Sequence, residues 1–203
     1  MDIRVRLPKD GSVLGLNGSP RKGGNSATLL ETILSAAREH GASTQSHCLA
    51  DLQYSPCIGC EACRKAGTCV RFKDDMTSLY SKVIDSKALI LVTPVHTFNM
   101  TAWMKAFIDR LYCLYNFSDD RPREYQSKMQ GRKAVLVAVC EDNDRKGVDF
   151  TLEPLHMSVE ALGYEVVGEL PVTGVFDIGG VAENTEVMTE ARDLGVKLAK
   201  AVS

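Results

Sequence analysis

This chain is poor in net charge, in long apolar runs and in domain punctuation. Lys and Arg number 24 against 26 Asp and Glu, which leaves a net charge of −2 over 203 residues. Without a basic surplus there is no counterion-release drive toward nucleic acid and no pull toward anionic lipid. The longest apolar run, Ala134–Cys140, is seven residues, against about 18 or more for a bilayer-spanning helix. Met1–Asp10 has charges but no apolar stretch behind them, so no secretory signal is expected and the expected compartment is the cytoplasm, where thiols stay reduced. Internal repeats, low-complexity segments and linkers are also missing. At roughly 150 residues per domain, one domain over 1–203 is expected, with 1–10 as an N-terminal extension.

What remains is ordinary globular material: 44% hydrophobic and 25% charged residues, enough to bury a core. Short apolar segments alternate with amphipathic ones. Ser12–Leu16 reads as a strand ending in the turn signal Asn17-Gly18-Ser19-Pro20. Leu29, Leu30, Ile33, Leu34 and Ala37 recur at helical spacing, with Asn25 or Ser26 as cap and Gly41 as stop. Ser43–Leu49 is a weak second strand. A helix opens at Asp74, and Ala88–Thr93 is a strand buried on both faces. Met100–Leu114 is a helix, Ser118–Gln130 a polar connector and Lys133–Val139 a strand. A helix over Val148–Leu162, a strand over Tyr164–Leu170 and a helix over Glu183–Val202 complete the pattern. Five strands alternating with five helices require crossovers, hence a doubly wound α/β fold with a mainly parallel sheet and helices on both faces. Two versions fit: the flavodoxin-like order 2-1-3-4-5, and half of a larger dinucleotide fold. In either, ligands bind beyond the carboxyl ends of the strands at the switch point. That directs attention to the loops beginning at Asn17 and Pro94.

The first loop, Gly18–Ser26, lacks the lysine placement of a Walker A loop and the spacing of a GxGxxG fingerprint. It is a glycine- and hydroxyl-rich turn with two cations entering a helix N-terminus, which is either a phosphate site or a plain solvated turn. The second, Thr93–Met100, sets short polar residues beside an aromatic, which suits a planar ring with polar edges. Its His96 reads either as a proton donor or as an ordinary hydrogen-bonding residue.

Of seven cysteines, four fall in a 13-residue window, Cys57-x2-Cys60-x2-Cys63-x5-Cys69, within a cysteine-rich loop at 54–73. In a reducing compartment this is no disulfide framework. Three thiolates at two-residue gaps and a fourth after a short loop can ligate a [4Fe–4S] cubane. Structural zinc normally separates its CxxC knuckles by a longer stretch. The same thiols without a metal are the remaining alternative. Cys48 and Cys113 sit in apolar patterns and read as core. Trp103 and the segment Tyr112–Phe117 read as core or as a subunit interface.

The motifs Asn-Gly-Ser-Pro-Arg-Lys-Gly-Gly-Asn-Ser at 17–26, Pro-Cys-Ile-Gly-Cys-Glu-Ala-Cys at 56–63, Asp-Asp-Met at 74–76, and Thr-Pro-Val-His through Met-Lys-Ala-Phe-Ile-Asp-Arg at 93–110 resemble the NADPH-dependent FMN reductase family, in particular its iron-sulfur flavoprotein branch. The resemblance spans about residues 11–200 and implies the flavodoxin-like order. It implies that Ser19, Arg21, Lys22, Asn25 and Ser26 hold the FMN phosphate. Pro94, Val95, His96, Thr97, Phe98 and Asn99 would line the isoalloxazine, with Cys140 and Glu141 opening a loop over it. By the same resemblance Cys57, Cys60, Cys63 and Cys69 bind a [4Fe–4S] cluster. The implied activity passes electrons from a ferredoxin-like donor through cluster and FMN to a small acceptor, the flavin carrying the chemistry with no catalytic side chain. A cluster-free quinone or flavin reductase using NAD(P)H as donor, and a non-enzymatic electron carrier, are the alternatives. A homodimer or homotetramer is implied. Two positions depart from the family pattern: His96, where many relatives carry an aromatic, and Cys140–Asp144, where many carry a glycine-rich loop.

Overall fold

Alternation along the central strands sends every second side chain into a different core. The computed structural model describes residues 8–116 and 126–203. In chain order the elements are β1 (Ser12–Asn17), α1 (Asn25–Glu39), β2 (Ser43–Cys48), α2 (Cys63–Ala66), α3 (Met76–Asp85), β3 (Ala88–Pro94), α4 (Ala102–Arg110), β4 (Tyr115–Asn116), β5 (Gln126–Ser127), β6 (Arg132–Val139), α5 (Lys146–Ala161), β7 (Tyr164–Val172) and α6 (Thr185–Val202). Five strands form one parallel sheet in the order β2-β1-β3-β6-β7. With the small antiparallel β4–β5 ladder set aside, this is the flavodoxin-like order 2-1-3-4-5. The switch point lies between β1 and β3.

Leu14, Leu16, Leu89, Leu91, Leu136 and Ala138 face one core, shared with α3, α4 and α5. Val13, Ile90, Val92, Val135 and Val137 face the other, shared with α1 and α6. The period of two in β1, β3 and β6 thus covers both faces. On the second face α1 and α6 touch at Gly195, where a Cβ would run into the carbonyl oxygen of Ile33. β2 lies at the sheet edge and is largely solvated, which accounts for its weak apolar signal.

Several boundaries differ from the sequence reading. α1 is not capped by Asn25 or Ser26; Gly24 occupies the cap position, and Asn25 is the first helical residue. Its carboxamide is engaged elsewhere, as described below. The helix expected over Met100–Leu114 ends at Arg110 and tightens into a 3₁₀ turn over Leu111–Leu114. Its start is set by Thr101, whose hydroxyl accepts the Met104 N–H at 3.2 Å. α6 begins at Thr185 rather than Glu183, because the Asn184 side chain accepts the Val187 N–H and caps it there. The fifth strand runs on to Val172. Of the expected connector over 118–130, residues 118–125 lie outside the described residues, as do 1–7 of the expected extension. Among the described residues no helix is long and apolar enough to cross a membrane.

Candidate functional site

At the carboxyl edge of the sheet, the loops after β1, β3, β6 and β7 enclose a cleft of about 400 Å³. The chain leaves β1 through a tight polar turn. Asn17 Oδ1 accepts the Ser19 N–H at 2.9 Å, and Ser19 Oγ accepts the Arg21 N–H at 3.2 Å. Gly24 then enters α1; a Cβ there would lie 3.1 Å from the Arg21 Cβ and 3.3 Å from its carbonyl oxygen, so the turn is tightly closed at this point. Ser19 and Ser26 are buried at this end, beside the first N–H groups of α1, which have no intrahelical acceptors. The loops after β1 and β3 are joined by Thr101, whose hydroxyl donates to the Gly18 carbonyl at 2.8 Å.

The loop after β3 is held by its own backbone. His96 and Asn99 exchange N–H···O bonds at 2.8 and 3.1 Å, and the two residues between them, Thr97 and Phe98, both have left-handed φ of 49° and 62°. Non-glycine residues in that region cost of order 1 kcal/mol each, a strain placed beside the cleft. The fourth wall comes from the loop after β7. Arg21 donates to the Phe176 carbonyl at 3.3 Å, and its guanidinium carbon lies 5.4 Å from the centre of the Phe176 ring. Asn25 donates to the Asp177 carbonyl at 2.9 Å and accepts the Val181 N–H at 3.2 Å. Arg21 and Asn25 therefore fasten this wall to the start of α1.

The cleft brings together Ser19, Arg21, Asn25, Ser26, Pro94, Val95, His96, Thr97 and Glu141. It does not include the other four residues named from sequence. Lys22 points into solvent, its side chain 89% exposed and 4.0 Å from Asp51. Phe98 is exposed at the tip of its turn. Asn99 uses its carboxamide oxygen to accept the Met100 N–H at 2.8 Å. Cys140 is buried, and its N–H donates to the Val172 carbonyl. Sequence reasoning missed Val175, Phe176 and Ile178, which line the cleft from the β7 loop. The signal was present in Gly174-Val-Phe-Asp-Ile-Gly179, a glycine-bounded apolar loop directly after the fifth strand.

The cysteine segment follows β2 and forms a separate small hollow, lined by Cys57, Cys60, Cys63 and Cys69 together with Arg110, Tyr112 and Cys113. Its turns run through left-handed φ at Gly59 and Gly67 and at the non-glycine Glu61. Cys57 and Cys60 are exposed, while Cys63, at the start of α2, and Cys69 are partly covered. Burial pushes the Cys63 thiol up, and the neighbouring thiols of Cys69, Cys57 and Cys60 add to that rise. Behind them Cys113 is a core thiol pushed up by burial to about 11. Among the described residues no three His, Cys, Asp or Glu side chains converge on a point where one metal ion would sit.

The family model for NADPH-dependent FMN reductase matches residues 12–168. The chain belongs to that family. It aligns with an iron-sulfur flavoprotein of Methanocaldococcus jannaschii at 30% identity, covering 94% of this chain and 96% of the relative. It aligns with an iron-sulfur flavoprotein of Methanosarcina thermophila at 28% identity over 92% of each chain. Such relatives place this family member in the iron-sulfur flavoprotein branch. Its fold superimposes on an NAD(P)H:quinone oxidoreductase from Methanothermobacter marburgensis with a TM-score of 0.72 at 17% identity, covering 92% of this chain and 98% of that one. The protein is a flavin-dependent oxidoreductase.

Proposed function

We propose that the protein carries FMN in the cleft and a [4Fe–4S] cluster on Cys57, Cys60, Cys63 and Cys69, and passes electrons from a ferredoxin-like donor to a small-molecule acceptor. The observation that carries this reading is the presence, in one chain, of two separate sites with different chemistry. One is a polar cleft at the switch point and the other a hollow lined by four thiols. The buried hydroxyls of Ser19 and Ser26, the Gly24 turn and the start of α1 fit a phosphate, because unpaired helix N–H groups and the positive helix end favour an anion. The four thiols fit a cubane in their chemistry, and each iron takes one thiolate, so the sulfurs need not meet at a point as they would around a single ion. The names of the relatives support the same assignment.

In this reading Ser19, Ser26 and the Arg21 charge hold the phosphate. Asn25 serves it indirectly, by fixing the wall formed by the β7 loop. Pro94, Val95, His96 and Thr97 border the ring with a rigid backbone turn, and Val175, Phe176 and Ile178 exclude water from the side opposite. Glu141 closes the edge over β6. Bound FMN supplies the electron and hydride chemistry, and the cluster supplies one-electron exchange. No nucleophile or general base is required of the chain. A cytoplasmic setting and a homodimeric or homotetrameric assembly belong to the same proposal.

The test is anaerobic purification and reconstitution, followed by absorbance spectra and measurement of iron, sulfide and flavin. The expected result is one FMN and about four irons per chain, with the flavin reduced by a ferredoxin-type donor. Reconstituted protein that binds FMN but no iron, and oxidises NAD(P)H with quinones, overturns the cluster and leaves a simple flavin reductase.

A further inference from the structure

The ends of the cysteine loop do not rest on sheet hydrogen bonds. Eighteen residues, Pro56–Lys73, separate Ser55 from Asp74, and α2 is only four residues long. A segment of this length with so little internal structure has a substantial closure entropy to overcome, so something must hold its two ends together. The side chain that reaches both is Arg110, the last residue of α4, which is 1% exposed. Its Nη1 donates to the Ser55 carbonyl at 2.7 Å, on the entering strand of the loop. The same nitrogen and Nη2 hold the Asp74 carboxylate at 2.7 and 3.0 Å, on the leaving strand. Asp74 in turn accepts the Ser55 N–H at 3.2 Å. The ring of Phe72, two residues before Asp74, has its centre 5.0 Å from the guanidinium carbon. Nε donates to Tyr80 Oη at 3.1 Å and anchors the fork in the core. Arg110 also lines the hollow with the four thiols.

We infer that Arg110 is a positioning residue for the metal site: it clamps Ser55 to Asp74, closes the cysteine loop at its root and thereby fixes the spacing of the four thiols. The inference rests on the proposed cluster only for its purpose; the clamp itself is a property of the metal-free chain. Arginine is needed because its rigid planar fork reaches the carbonyl, the carboxylate and the phenol at once, whereas a lysine ammonium is a single point on a flexible stem. A second tie, Gln53 N–H to Asp75 Oδ2 at 2.7 Å with Asp75 N–H to the Gln53 carbonyl at 3.1 Å, stands just outside the first. It does not involve Arg110, so the Arg110→Lys change leaves its groups in place.

The experiment compares wild type, Arg110→Lys and Tyr80→Phe. Tyr80→Phe removes the hydroxyl that accepts from Arg110 Nε and donates to the Arg110 carbonyl, and leaves the bonds from Arg110 to Ser55 and Asp74 untouched. In metal-free, reduced protein, Arg110→Lys is expected to speed amide exchange over 56–73 and thiol alkylation of Cys63 and Cys69 by at least about tenfold, with exchange in the central strands unchanged. Tyr80→Phe is expected to leave the loop at wild-type rates. In reconstituted protein, Arg110→Lys is expected to lose iron to a chelator at least about tenfold faster, with an altered visible circular dichroism of the cluster and unchanged FMN affinity. Wild-type loop exchange and alkylation in Arg110→Lys overturn the clamp. So does faster exchange spread evenly over the sheet, which marks Arg110 as a general stability residue. If wild-type protein takes up no iron at all, the cluster assignment falls, while the metal-free measurements still decide the clamp.

Discussion

The switch-point cleft and the cysteine hollow lie in one chain but are built by different means. The cleft is assembled from the ends of strands. β1, β3 and β6 lie inside a parallel sheet and are buried on both sides, and β7 pairs along the edge of β6, so the loops that leave them have little freedom at their origins. Short local bonds finish the work, backbone to backbone in the His96–Asn99 turn and backbone to side chain in the Asn17–Ser19–Arg21 turn. The hollow has no such support. Its loop leaves an edge strand, runs through three left-handed residues, Gly59, Glu61 and Gly67, and is tied at the root by the Arg110–Asp74 pair and the Gln53–Asp75 bonds. A cleft at strand ends can be preformed by the sheet; the cysteine loop depends on the ties at its root. Damage should therefore remain local at the cysteine loop and be shared among several groups at the cleft.

The sharpest break in this comparison is Cys63→Ser. Removing one of four thiolates is expected to abolish a stable cluster while FMN stays bound, checked by iron and flavin content after anaerobic reconstitution. Joint loss of both cofactors would show that the two sites are not independent.

Next in size is Asp74→Asn, which leaves the Arg110 guanidinium buried with its carboxylate partner neutralised. Breaking a buried pair of this kind costs about 3–5 kcal/mol, read as a fall in the urea midpoint of metal-free protein. The pair also carries a pH signature. Burial works to raise the Asp74 carboxyl, but the Arg110 hydrogen bonds, the Ser55 N–H and the Arg110 charge overcome it and hold the group below its ordinary value. A depressed carboxylate stabilises the folded state above its unfolded pKa of about 3.9, and that contribution is lost as pH falls from there through the folded value. The stability gap between wild type and Asp74→Asn should therefore be full at neutral pH and shrink below about pH 4. A gap that stays constant through that range would mean that the ion pair does not stabilise the loop root.

Arg21→Ala sharpens the other side. It removes the cation at the phosphate end and the hold on Phe176, and FMN affinity should fall by about 1.5–3 kcal/mol, the scale of a charged hydrogen bond. That corresponds to roughly 10- to 150-fold in Kd by flavin fluorescence titration. The smallest effect is expected at Lys22. Its solvated side chain should contribute less than about 1 kcal/mol to FMN binding, so Lys22→Ala titrates close to wild type. A Lys22 effect as large as that of Arg21 would mean that the loop rearranges to bring both cations onto the phosphate.

The elements that were legible in the sequence are those whose signal is a pattern carried within one short segment of the chain. Leu29 to Ala37 announce a helix because one face is apolar. Ala88–Val92 announce a buried strand because no residue in the run is polar. The four cysteines announce a ligand set by their spacing alone. The Gly18–Ser26 loop was readable as a candidate anion site because a glycine- and hydroxyl-rich turn into a helix is a local motif. Its division of labour was not readable. Lys22 and Arg21 are adjacent cations, and which of them faces the cleft depends on the position of Phe176, 155 residues further on. Asn25 read as a cap for its own helix, yet its amide holds Asp177 and Val181.

By itself, the sequence determined the strand–helix alternation, the parallel doubly wound sheet that such alternation requires, the family, and the residues that form the polar turn after β1 and the cysteine array. Those follow from periodicity and short-range spacing, which the chain carries locally. Only the tertiary structure decided that the loop after β7 is a wall of the cleft, that Cys140 lies beneath it rather than in it, and that Arg110 joins Ser55 to Asp74. Each of these rests on contacts between residues far apart in the chain. They exist only once the sheet has brought the segments together, because a side chain's partner is set by where the backbone carries it.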